Sequence, residues 1–283
     1  MKICRTKADM RETVSAWKRS GETVCVVPTM GYLHDGHLAL VRRAHEVANR
    51  VVATIFVNPT QFGPNEDLTS YPRDEQRDLA LLNADGVDAV FMPSVEEMYG
   101  ERGDTFVDVP SLSGVLQGAL RPGHFQGVAT VVSKLFNIVT PDYAVFGEKD
   151  YQQLAIIRQM VFDLDMPLEI IGHPTVREAN GIAMSSRNVR LAPEHRQEAL
   201  VLSRSLAKAE SLAGSSPKIF DLKCAIRDIL TSAPSAEVMS VDVRNADTLE
   251  ELSGTLDQPA VVLLAVRFGA VLLIDQRVIT PAA

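Results

Sequence analysis

The chain has 283 residues, of which 46% are hydrophobic and 23% charged, with a formal net charge of −8. That is long enough for two moderate domains with real cores and too acidic for a broad nucleic-acid footprint. No run of about 18 apolar residues reads as a membrane span. The start, Met1-Lys2-Ile3-Cys4-Arg5, is too charged for a signal peptide, and Cys4, Cys25 and Cys224 are scattered without metal or disulfide spacing. A cytoplasmic protein without zinc is expected.

In chain order, Val24-Cys25-Val26-Val27 reads as a buried strand, followed by the turn Pro28-Thr29-Met30-Gly31-Tyr32-Leu33-His34-Asp35-Gly36-His37 and a helix over 38–49. Apolar runs at 51–57, 87–92, 143–146 and 168–171 read as further strands. Helical spacing covers 74–83, 128–139 and 151–164. Unbroken apolar strands between helices predict a Rossmann-like, doubly wound parallel sheet, an α/β domain over residues 1–176. The stretch 100–121 is loop-rich. Beyond residue 176 the pattern changes to one long helix over 194–213, a second over 218–232, and strands at 238–243, 260–267 and 271–274. Phe268-Gly269-Ala270 joins the last two as a hairpin, so residues 177–283 are expected to form a smaller C-terminal α+β domain that acts as a lid.

The chemistry concentrates in a few loops. In an open α/β sheet, ligands bind beyond the carboxyl ends of the strands. The 30–37 turn leads from a strand into a helix N-terminus, where free N–H groups and the helix dipole favour phosphate. His34 and His37 then lie on one side of the first helical turn as neutral hydrogen-bond donors. The loop over 58–67 carries Gln61, two donors and an acceptor beside Phe62. The loop Gly147-Glu148-Lys149-Asp150 offers an ammonium, and Gln153 follows one turn into the next helix. Met184-Ser185-Ser186-Arg187 reads as a compact anion clamp or a polar interdomain loop. Arg121 or His124 is placed near a substrate carboxylate. Asp78 reads either as a helper for hydrated Mg²⁺ or as part of an exposed helix face.

Together these stretches (28–38, 56–62, Tyr71-Pro72-Arg73, 121–128, 146–154 and 185–188) closely resemble the pantothenate synthetase, or pantoate–β-alanine ligase, family, and the resemblance runs from near the N-terminus to the terminal strands. His-x-Gly-His alone marks only the wider nucleotidyltransferase superfamily. The resemblance implies condensation of pantoate with β-alanine, using ATP, through pantoyl adenylate, with release of AMP and pyrophosphate. It implies that Met30, Gly31, Tyr32, Leu33, His34, Asp35, Gly36 and His37 form the ATP turn, with His37 the usual proton donor. It implies that Gly147, Glu148, Lys149, Asp150 and Val176 line the nucleotide site. Met184, Ser185, Ser186 and Arg187 match the mobile second ATP motif. Gln61 and Gln153 hold pantoate, and Gln61 also lies near β-alanine. His34, His37 and Lys149 are the expected catalytic groups. Asp78 matches the family's metal-side position for Mg²⁺, and a homodimer is implied. Two positions depart from the commonest pattern: Tyr32 is often smaller, and Arg77 stands where some members have a second acid. The rival readings are an adenylyltransferase acting on a phosphate acceptor, a small aminoacyl-tRNA synthetase, and a non-catalytic ATP sensor.

Overall fold

A computed structural model describes residues 1–64, 66, 68–101 and 103–282. The far end of the 58–67 loop, at Asn65 and Asp67, lies outside the described residues, as does Arg102 in the loop-rich stretch. The contacts divide the chain into two compact units, Met1–Gly147 with Gln152–Pro174, and Glu148–Tyr151 with Thr175–Ala283. The second unit therefore begins at Thr175 rather than at 177, and it includes the Lys149 segment that the sequence assigns to the first domain.

The first unit contains β1 (Lys2–Cys4), α1 (Lys7–Arg19), β2 (Val24–Thr29), α2 (Asp35–Val47), β3 (Arg50–Ile55), α3 (Glu75–Ala84), β4 (Ala89–Phe91) and α4 (Val95–Tyr99). It continues with α5 (Pro110–Ser113), α6 (Gln117–Leu120), α7 (His124–Val139), β5 (Tyr143–Gly147), most of α8 (Tyr151–Asp163) and β6 (Glu169–His173). All six strands pair in parallel, in the order β1-β4-β3-β2-β5-β6. The alternation of side chains along a strand explains the two layers. Val24, Val26, Val52, Ala89, Phe91, Ala144 and Phe146 join one core with α1, α7 and α8. Cys25, Val27, Val51, Ala53, Val90 and Val145 join the other with α2 and α3. Strand order reverses between β2 and β5, and in a sheet of this kind ligands are expected beyond the carboxyl ends of those two strands, Thr29 and Gly147.

The first strand and helix, β1 and α1, are not among the elements read from sequence. Thr6 accepts the N–H of Asp9 as the cap of α1, and Met10, Val14 and Trp17 pack into the core. Within the stretch 100–121 the two four-residue helices α5 and α6 appear.

The second unit holds α9 (Pro193–Glu198), α10 (Leu200–Ala213), α11 (Ile219–Leu230) and the antiparallel sheet β7 (Ala236–Asn245), β8 (Ala260–Phe268) and β9 (Val271–Ile279), in that order. The long helix expected over 194–213 is interrupted at Ala199, where the Leu202 N–H reaches back only three residues, to Ala199, and tightens the turn. The hairpin at Gly269 and Ala270 is present. No helix among the described residues is long and apolar enough to cross a membrane.

Candidate functional site

In the first unit, the turn after β2 is shaped by two consecutive residues with positive φ, Gly31 at +81° and Tyr32 at +51°. Glycine adopts this conformation freely, whereas for tyrosine it costs roughly 1–2 kcal/mol. The compensation is visible. The Tyr32 N–H and the Leu33 N–H donate to the two oxygens of Asp78, each at 2.7 Å. Thr29 Oγ1 donates to the Thr54 carbonyl at 2.6 Å and accepts the Gly31 N–H at 3.2 Å. Leu33 is buried below the turn.

His34 follows as the residue before the first turn of α2, and its carbonyl accepts the N–H groups of His37 and Leu38. The two imidazoles lie against each other, with centroids 4.0 Å apart and planes tilted by 34°. The His34 N–H donates to His37 Nδ1 at 3.3 Å. An Nδ1 that accepts leaves the proton of the neutral ring on Nε2, so His37 offers Nε2–H as a donor.

Gln61 ends a short 3₁₀ turn, Pro59–Gln61, and is only 8% exposed. Its amide is held at both ends. Asn58 Nδ2 donates to Gln61 Oε1 at 3.1 Å, and Gln61 Nε2 points at Met30 Sδ, 3.2 Å away. Asn58 is itself buried; its Nδ2 also donates to the Gly127 carbonyl, while its Oδ1 accepts the hydroxyls of Thr60 and Tyr99. Burial raises the Tyr99 phenol above its ordinary pKa, which keeps it a donor here. The loop lies so close to α7 that a Cβ on Gly127 would stand 2.5 Å from the Thr60 carbonyl oxygen. Asn58 and Tyr99 are polar groups of this site that the sequence reading does not single out. The signal for Asn58 is its place between a strand end and a proline.

Arg121 and Asp78 both have partners within the protein. Arg121, expected near a substrate carboxylate, meets the Glu66 carboxylate with two N–H groups, at 2.7 and 2.5 Å. The guanidinium holds the Glu66 carboxyl below its usual value. Arg121 Nη1 also lies 2.9 Å from His124 Nε2, and His124 Nδ1 lies 2.8 Å from the Gln61 carbonyl. Since a guanidinium only donates, His124 accepts at Nε2 and donates from Nδ1. The chain from Glu66 through Arg121 and His124 thus ends on the Gln61 backbone. Asp78 is neither an exposed helix residue nor a free metal ligand. It is 1% exposed, and each oxygen accepts a backbone N–H. Burial pushes its carboxyl above the ordinary value, and the two N–H groups pull it back in part. Among the described residues, no group of three His, Cys, Asp or Glu could hold a metal.

Gln153, in α8, is partly buried. Its neighbour Gln152 is buried and holds the 112–117 stretch, donating to the carbonyls of Leu112 and Val115 and accepting the Gln117 N–H.

In the second unit, Glu148–Asp150 is a single 3₁₀ turn with the Lys149 ammonium 3.8 Å from Asp150. The next residue, Tyr151, donates its hydroxyl to the Ala246 carbonyl at 2.8 Å. Val176 and Met184 face each other across a narrow hairpin stem, where the Met184 N–H donates to the Val176 carbonyl. The stem is fastened to β9 by Arg177, which meets Asp275 with two N–H groups at 2.7 and 2.9 Å. Ser185 Oγ accepts the Arg187 N–H at 3.2 Å, which curls the turn; Ser186 is buried and Arg187 partly so. Asn188 pins the turn to the stem by donating to Glu178 and to the Ala183 carbonyl.

The family model described as pantoate-beta-alanine ligase matches residues 2–278. The pantothenate synthetase of Bartonella bacilliformis is 52% identical over 280 residues, covering 99% of this chain and 100% of that protein. That of Pelotomaculum thermopropionicum is 51% identical over 280 residues, with 99% of each chain covered. The crystal structure of pantothenate synthetase from Thermus thermophilus superposes with a TM-score of 0.92 at 47% identity, covering 98% of this chain and 99% of that one. The pantoate-beta-alanine ligase of Francisella tularensis, complexed with beta-gamma ATP and beta-alanine, gives 0.80 at 30% identity, covering 98% and 97%.

Proposed function

The chain belongs to the pantoate–β-alanine ligase family and joins pantoate to β-alanine with ATP, and we propose that it does so through an acyl adenylate bound beside the 30–37 turn. The observation that carries this reading is the paired His34 and His37 rings at the start of α2, beside an amide-fixed Gln61. A carboxylate is a poor electrophile and first needs a leaving group. A pantoate carboxylate oxygen attacks the α-phosphorus, the bond to the bridging oxygen breaks, and pyrophosphate departs. The β-alanine amine then attacks the acyl carbon, the bond to AMP breaks, and the amine gives up a proton.

In this reading His37 Nε2–H and His34 donate to phosphate oxygens as charge builds up, next to the N-terminal amides of α2. Gln61, oriented by Asn58, binds pantoate together with Gln153, and also neighbours β-alanine. The family resemblance assigns Gly147, Glu148, Lys149, Asp150, Val176 and the 184–187 turn to the nucleotide, with Lys149 neutralising phosphate charge. Catalysis is then mainly positioning and charge stabilisation. Asp78 does not fit a metal-ligand role, since it is buried and both its oxygens already accept backbone N–H groups; Mg²⁺ would enter with the ATP phosphates and would offset their charge, and no residue is assigned to hold it. A cytoplasmic homodimer completes the reading, with the state in solution open to sedimentation analysis.

Exchange of labelled pyrophosphate into ATP is the test, with pantoate present and β-alanine absent. Pantoate-dependent exchange, followed by AMP rather than ADP on adding β-alanine, is expected. Exchange that ignores pantoate, or ADP as product, would overturn the adenylate route. An adenylyltransferase would instead keep AMP in its product, and a sensor would show no turnover.

A further inference from the structure

With the metal role removed, the buried carboxylate of Asp78 has no part in the chemistry above, yet it holds the backbone that the proposed function assigns to ATP. Two successive amides, of Tyr32 and Leu33, converge on it at 2.7 Å each. Converging successive amides form the kind of concavity that elsewhere takes phosphate; here a side chain of α3 fills it. The fit has no slack, because a Cβ on Gly31 would stand 3.0 Å from Asp78 Oδ2. The adjacent Arg77 grips the same turn through its side chain, with its guanidinium carbon 5.4 Å from the centroid of the Tyr32 ring. One helix therefore holds the Tyr32 backbone with one residue and the Tyr32 ring with the next. Two residues on, His34 gives its N–H to His37 Nδ1, so the direction of the His37 ring depends on the backbone at 33–34.

We infer that Asp78 is a positioning residue for the nucleotide turn: its carboxylate stabilises the left-handed backbone at Tyr32 and, through Leu33 and His34, sets where His37 points its Nε2–H. This rests on the proposed binding of ATP at the 30–37 turn. A merely structural acid would stabilise the fold without distinguishing ATP from pantoate, so the separate Michaelis constants are the readout.

The experiment compares Tyr32→Val with Tyr32→Gly in pantoate-dependent pyrophosphate exchange. Both remove the ring and its contact with Arg77, so their difference reports the backbone. Glycine takes positive φ freely, whereas a β-branched residue there is an outlier. The KM for ATP of the Val variant should exceed that of the Gly variant by about tenfold, the size of the left-handed penalty, with a much smaller difference in the KM for pantoate. Asp78→Asn keeps the shape but turns one acceptor into a donor facing an N–H. It should raise the KM for ATP by about tenfold or more in the Tyr32 protein and clearly less in the Tyr32→Gly background, a non-additivity that marks a shared mechanism. Amide hydrogen exchange of the unmodified protein is a second readout that survives if Asp78→Asn does not fold: the Tyr32 and Leu33 amides should be protected.

Equal ATP constants for the Val and Gly variants, additive losses in the double variant, or unprotected amides would each overturn the inference. So would pantoate constants that rise as much as those for ATP. His37→Ala separates the two levels. If it leaves exchange intact, the assignment of ATP to this turn fails; if it abolishes exchange while the Tyr32 pair behaves alike, only the role of Asp78 fails.

Discussion

The two anion-binding candidates, the 30–37 turn and the 184–188 turn, are built on opposite principles. The first stands at the start of a 13-residue helix and draws on its amides, with strain at Tyr32 balanced by a buried carboxylate from another helix. The second has no such helix behind it. It sits on a two-rung stem, held by a Ser185 hydroxyl, an Asn188 amide and the Arg177–Asp275 pair. The first turn is therefore fixed by the parallel sheet and its helices, and the second by polar and ionic contacts, among them Arg177–Asp275 to β9 and Arg196–Glu178 from α9. Strain and a buried charge are concentrated at the first turn, and the hairpin turn depends on a few polar contacts that can be cut one at a time.

The largest expected effect falls on the first turn. His37→Ala should slow pantoate-dependent exchange by about 10²–10³-fold, the scale for losing one preorganised donor, without lowering thermal stability much. A near-normal rate would break the comparison at its stronger side. On the second turn the opposite division is expected. Asp275 is 2% exposed, and Asp275→Ala leaves the Arg177 guanidinium without its partner. Breaking a buried pair costs about 3–5 kcal/mol, and less here because Arg177 keeps some contact with water. A clear fall in melting temperature is the expected readout in calorimetry. An unchanged melting temperature would show that the stem does not need its fastening.

The sequence made these regions legible to different degrees. Buried parallel strands announce themselves as unbroken apolar runs, so β2, β3 and β5 were readable, and glycines with histidines between β2 and α2 marked the first turn. The edge strand β1 buries only Cys4 of its three residues and has no such run. The following helix α1 carried a readable signal, a Thr6 cap ahead of Met10, Val14 and Trp17, but one diluted by charged residues. Asp78 was out of reach for another reason. Its partners are backbone amides 45 and 46 residues away, and an amide has no residue type to recognise. The two positions that depart from the family pattern, Tyr32 and Arg77, looked independent in sequence and touch in space. The Arg121–Glu66 pair has no local signal either, because the two residues are 55 positions apart.

The Gln61 loop offers an intermediate case, fixed by close packing rather than by strain or charge. Gly127→Ala should force the Thr60 carbonyl away from α7, at the roughly 1–3 kcal/mol typical of overpacking. The readout that matters is kinetic: the KM for pantoate should rise well before that for ATP, because Asn58 bonds both Gly127 and Gln61. Equal rises would mean that the loop does not carry pantoate specificity.

The smallest effect is the most diagnostic for the chain that backs Gln61. Arg121 holds the Glu66 carboxyl below its ordinary value. A carboxylate with a depressed folded-state pKa contributes stability that is complete above its unfolded-state value and fades as the pH falls through the folded-state value. Glu66→Gln should therefore reduce stability slightly at neutral pH, and the difference from the unmodified protein should shrink in acid, below the usual carboxylate range. His124→Asn retains a donor for the Gln61 carbonyl but loses the ring acceptor that faces Arg121, so the KM for pantoate should rise modestly. An unaltered KM would separate the Glu66–Arg121 pair from pantoate binding and leave it as a fastening for the loop alone.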